Sequence, residues 1–127
     1  MPRPDEKPPS ASWIAVRVAF GDRGSLGPGK ARLMELIAEK GSIAAAGKAL
    51  GMSYKRAWSL AESLNSSFKG PLIAVQHGGA KGGGAVLTDL GREIVGHFRA
   101  IEEAAAIAAR ADLDALSRLL AEPLDRQ

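Results

Sequence analysis

Residues 41–58 read GSIAAAGKALGMSYKRAW, and their spacing decides the fold. Ser42 stands where an N-cap hydroxyl belongs. Ile43, Ala46 and Leu50 then fall on one face of a short helix that Gly51 ends. Only Gly51, Met52 and Ser53 separate this helix from YKRAWSLAESLNSSF, in which Ala57, Leu60, Ala61, Leu64 and Phe68 make one apolar stripe. Two helices joined by so short a turn cross steeply, and their crossing needs small side chains, which Ala45, Ala46 and Gly47 supply. Gly51 provides the positive φ the turn requires, and Met52 is expected to face inward and seal it. Ser53 is expected to cap the third helix, whose N-terminal amides and partial positive charge suit a phosphate.

Upstream, Leu33, Leu36 and Ile37 repeat at helical spacing from Lys30, and Gly41 offers a left-handed stop. Before that helix, WIAVRVAF (residues 13–20) alternates like a half-buried strand, and GDRGSLGPGK, with four glycines and a proline, reads as a loop. Residues 1–12 carry four prolines among charged and small residues and read as a flexible tail. Downstream, LIAVQ and AVL flank HGGAKGGG as a hairpin with a glycine-rich tip. Thr88 then caps a long helix, about 88–109, whose Leu87, Leu90, Ile94, Phe98, Ile101, Ala105 and Ala108 approach a heptad seam and ask for a partner helix. Asp112 is expected to start a short terminal helix that stops near Pro123. The expected class is mainly α with a small β-hairpin. Its order is that of a winged helix-turn-helix domain over residues 13–121 with a long C-terminal dimerisation helix.

Composition narrows the function. The 127 residues contain no cysteine, which excludes disulfides, cysteine-held zinc and thiol catalysis. No apolar run approaches the roughly 18 residues of a membrane span, and MPRPDEKPPS lacks a signal-peptide core; the expected location is cytoplasmic, at the nucleoid. Net charge is only +3, but residues 41–87 hold five basic groups against one acid, whereas residues 88–127 hold five arginines against eight acids. The middle of the chain is suited to a polyanion.

Tyr54, Lys55, Arg56 and Ser59 lie on the third helix away from its apolar stripe, where a recognition helix meets base edges and phosphates in the major groove. The plainer reading of Lys55 and Arg56 is a pair of solvated charges. Trp58 borders the stripe, and packing is favoured over DNA contact. In the hairpin tip, glycines would let the backbone approach a sugar-phosphate chain while Lys81 adds charge; the plainer reading is a loose turn with a stray lysine. That loop lacks the spacing of a nucleotide-binding P-loop. His77 and His97 have no ligand partner at helical spacing, so neither supports a metal site. No nucleophile, base and orienting group fall on a recognisable motif, and no enzyme is expected.

SYKRAW (residues 53–58) and GGAKGGGAVLT (residues 78–88) make the chain resemble the N-terminal DNA-binding domain of the ModE-type molybdate-responsive transcriptional regulators, from about Lys30 to His97. It is more distantly similar to the LysR-type helix-turn-helix. The resemblance implies a homodimer on a double-stranded DNA operator, with Ser53, Tyr54, Lys55, Arg56 and Ser59 in the major groove and Lys81 on the wing. It also implies control of genes for molybdate uptake or molybdenum metabolism. The C-terminal molybdate-binding domains of the full-length regulators are not expected in this chain, so no cofactor is expected, with molybdate implied by resemblance alone. The alternative reading is a winged-helix protein-interaction module, an antagonist of another regulator without specific DNA binding.

Overall fold

The structure, a computed structural model, describes residues 12–76 and 84–122. Its elements run β1 (Val18–Ala19), β2 (Ser25–Leu26), α1 (Pro28–Lys40), α2 (Ile43–Ala49), α3 (Tyr54–Ser67), β3 (Ile73–Gln76), β4 (Gly84–Leu87) and α4 (Asp89–Arg118). β1 pairs with β2 and β3 with β4, both antiparallel, the second pair running from Ile73 opposite Leu87 to Gln76 opposite Gly84. This is the expected winged helix-turn-helix order: three helices, a two-stranded wing and a long final helix.

The helix boundaries follow local chemistry. Gly41 takes φ 79° and returns its N–H to the carbonyl of Ile37, closing α1. The hydroxyls of Ser42, Ser53 and Thr88 accept from the N–H groups of Ala45, Arg56 and Gly91 at 3.0–3.1 Å, so each of the next three helices carries its expected cap. Gly51 takes φ 71° in the turn between α2 and α3. There α2 and α3 touch closely: a Cβ on Gly47 would stand 2.7 Å from the Cβ of Ala57 and 3.5 Å from Met52 Cγ. Met52 packs against the core, as its position in the turn predicts.

Leu33, Met34 and Ile37 of α1, Ala57 and Leu64 of α3, Leu72 before β3 and Phe98 of α4 are the centre of one core. Each large side chain so buried contributes about 1.5–3 kcal/mol. An ion network closes the core's edge between α1 and α4. Arg99 donates to both carboxylate oxygens of Glu35 (2.9 and 3.1 Å) and to Glu102 (2.7 Å), and Glu102 is 3% exposed. Burial disfavours the guanidinium charge, but the hydrogen bonds and charges of Glu35 and Glu102 outweigh it and raise the Arg99 pKa above its ordinary value.

Four expectations are corrected. Strand 13–20 shrinks to Val18–Ala19, although Val16, Val18 and Phe20 are half-buried and Ala15, Arg17 and Ala19 exposed, as the alternation predicts. The glycine-rich loop is more ordered than its composition suggests: it supplies a 3-10 turn, Gly21–Arg23, and the partner strand β2. Helix α1 starts at Pro28, two residues before Lys30, because proline is pre-set for a first helical position. Finally, α4 runs unbroken for 30 residues to Arg118. Ala109, Arg110 and Ala111 are good helix formers with no glycine or proline among them, so Asp112 lies inside the helix and starts nothing new.

The expected seam on α4 is also divided. Leu87 and Phe98 are 6% and 1% exposed because they belong to the chain's own core, whereas Ile101 is 44% exposed. Of the expected tail, residues 1–11 lie outside the described residues.

Candidate nucleic-acid interface

Helix α3 is oriented from within. Ala57, Ala61 and Leu64 are buried, and at 100° per residue this turns Lys55, Arg56 and Ser59 outward; Ser53, the cap before the helix, and Tyr54, its first residue, are exposed as well. Ser53, Lys55, Arg56 and Ser59, joined by Leu60, line one shallow depression of about 290 Å³. The Tyr54 ring, 60% exposed, stands at the start of the helix edge-to-face with Trp58 at 6.0 Å. Trp58 is half-buried against the core, and its Nε1 is buried with no partner among the described residues. The surface thus offers two cations, two hydroxyls and a phenol over the capped N-terminus of a 14-residue helix, groups that hydrogen-bond phosphate oxygens and base edges.

The base of the wing is fixed to this helix by a residue that sequence reading did not single out. The Asn65 amide oxygen accepts from the N–H groups of Leu72 and Ile73, both at 2.9 Å, while its Nδ2 donates to the Ile73 carbonyl at 2.9 Å. One side chain of α3 thereby holds the first residues of the wing. The signal available in the sequence is a lone amide four residues after Ala61, beside Leu64, where another apolar residue would continue the stripe. The second strand is held by the Ala85 N–H, which donates to the Gly41 carbonyl at 2.8 Å, and a Cβ on Gly84 would lie 2.9 Å from that oxygen. The wing is therefore tied on one strand to α3 and on the other to the end of α1. Lys81 and His77 lie outside the described residues. His97 is on α4, 3.5 Å from Glu93, and among the described residues no three acidic or histidine side chains gather to hold a metal ion. No helix among them is long and apolar enough to cross a membrane.

No family model matches the chain. Among curated proteins, it is 43% identical over 91 residues to the molybdenum transport protein ModE of Azotobacter vinelandii, covering 72% of this chain and 32% of that protein. The chain is a relative of the ModE-type proteins. The DNA-binding transcriptional dual regulator ModE of Escherichia coli K12 is 38% identical over 68 residues, 54% of this chain and 26% of its own length. The molybdenum-pterin-binding protein MopA of Rhodobacter capsulatus is 39% identical over 79 residues, 62% of this chain and 30% of its own. This ModE relative therefore spans about a third or less of the proteins it matches.

Proposed function

We propose that this ModE relative is a sequence-specific, dimeric DNA-binding regulator that controls genes of molybdate uptake or molybdenum metabolism. The observation that carries the reading is the outward face of α3. Ser53, Tyr54, Lys55, Arg56 and Ser59 are all presented to solvent by a helix whose other face is locked into the core, with the wing tied beside it. In this reading α3 enters the major groove, Lys55 and Arg56 contact phosphates or guanine edges, and Ser53, Tyr54 and Ser59 set register. Lys81 meets the adjacent backbone from the wing. The names of the relatives support both the regulatory role and the link to molybdenum. The dimer places two copies of α3 on the two halves of an operator, in the cytoplasm at the nucleoid.

The test is a titration of Lys55→Ala and Arg56→Ala against a selected operator. Each substitution should weaken binding roughly tenfold or more, and a phosphate contact should also lower the salt slope by about 1. Both residues are exposed, so thermal stability should not change. Unchanged affinity in both variants would remove α3 from the interface.

A further inference from the structure

Three anchors hold the base of the wing, each at a different helix. Ala85 of β4 donates its N–H to the Gly41 carbonyl at the end of α1, at 2.8 Å. The Leu72 carbonyl, just before β3, accepts the N–H of Thr88, the cap of α4, at 2.9 Å, and the Thr88 hydroxyl donates to the Pro71 carbonyl at 2.7 Å. The third anchor is Asn65. Among the described residues no other hydrogen bond joins α3 to the wing. Two consecutive N–H groups, of Leu72 and Ile73, and the Ile73 carbonyl converge on this one side chain, so it must offer two acceptor lone pairs and a donor, which an amide does.

The anchor is placed to control geometry. Positions 54, 58, 61 and 65 recur at helical spacing, so Asn65 shares one side of α3 with Tyr54 and the half-buried Trp58. Tyr54 and Asn65 are about 16 Å apart along the helix at 1.5 Å per residue. The wing is thus fixed to α3 at the end remote from Ser53, Lys55, Arg56 and Ser59, and its base acts as a pivot. From Ile73 to Gln76 the strand rises about 10 Å, so a tilt of about 20° at the base would carry its far end about 3–4 Å. A displacement of that size separates a hydrogen-bonded phosphate from one out of reach.

Resting on the proposed function, we infer that Asn65 is a positioning residue for DNA recognition: its carboxamide fixes the angle between the wing and α3, so that Lys81 and the pair Lys55 and Arg56 engage one duplex together. Asn65 makes no DNA contact of its own in this role. It acts through the wing.

The salt dependence of operator binding separates this role from stability, because its slope counts phosphate contacts, whereas lost stability only lowers the folded fraction. In the native background Lys81→Ala should lower the slope by about 1. Asn65→Leu, which keeps the shape of the side chain but none of its hydrogen bonds, should show the same loss, and adding Lys81→Ala to it should lower the slope no further. In Asn65→Asp, which keeps both acceptors, the Lys81→Ala step should return. Arg99→Met breaks the ion network between α1 and α4 and controls for lost stability; it should keep the full Lys81 step. A native slope in Asn65→Leu with an undiminished Lys81 step would overturn the positioning role while leaving α3 and the wing as the DNA surface. So would a native chain in which Lys55→Ala lowers the slope and Lys81→Ala changes nothing. If neither lysine affects binding by the native chain, the proposed function fails, and this role with it.

Discussion

Replacing Gly47 with alanine tests the geometry on which the presentation of α3 depends. The added Cβ would lie 2.7 Å from the Cβ of Ala57, and ordinary contact starts near 3.4 Å, so α2 and α3 must separate by about 0.7 Å where they cross. Both atoms are fixed to helical backbone, and neither can rotate away. Overpacking of this kind costs about 1–3 kcal/mol, against which alanine gains about 1 kcal/mol over glycine inside a helix. The expected net loss is about 1 kcal/mol. Gly96→Ala is the internal control: it is also within a helix, its added Cβ meets nothing within 4 Å, and it should gain about 0.5–1 kcal/mol. Urea unfolding followed by far-UV circular dichroism should place the two variants on opposite sides of the native chain, nearly 2 kcal/mol apart. A Gly47→Ala protein as stable as Gly96→Ala would refute the close crossing.

Other consequences are equally specific. Asn65→Ala removes three hydrogen bonds and leaves the N–H groups of buried Leu72 and Ile73 without acceptors, which should cost about 2–4 kcal/mol in urea unfolding. Asn65→Asp keeps the acceptors and should cost less. Gly91→Ala would drive a Cβ to 2.3 Å from the Leu72 carbonyl oxygen, which also accepts the Thr88 N–H, and should destabilise by about 3 kcal/mol, more than Gly47→Ala. Arg99→Met strands the buried Glu102 carboxylate and should cost about 3 kcal/mol, the low end for a broken buried pair because Arg99 keeps a fifth of its side chain in water. Because the Arg99 pKa is raised, its charge contribution is fully present below the ordinary arginine value and is lost only above it. Arg99 therefore stays charged throughout, and the Arg99→Met difference measured at pH 6 and pH 8 should not trace an arginine titration.

The helices and the turn between α2 and α3 were legible because their determinants are local: caps at Ser42, Ser53 and Thr88, positive φ at Gly41 and Gly51, and small residues at the crossing each act within a few positions. On α3 the outward turn of Lys55, Arg56 and Ser59 followed from its buried stripe, whereas Ser53 and Tyr54 are exposed at the helix start. The N-terminal hairpin was not legible, since Ser25–Leu26 becomes a strand only by pairing with Val18–Ala19 across a glycine-rich turn. Periodicity along α4 located its apolar residues but could not divide them, because Phe98 and Ile101 look alike until the core shows which one it covers. Asn65 was missed for a related reason: its value lies in three bonds to a segment seven and eight residues away.

The central claim is that the face of α3 reads DNA sequence. Fluorescence anisotropy of the full chain at roughly physiological salt, comparing a library-selected duplex with a scrambled one, tests it most directly. The account predicts a preference on the order of a thousandfold or more for the selected duplex. Equal and weak binding to both, falling together as salt rises, would contradict it and favour a winged-helix module that binds protein.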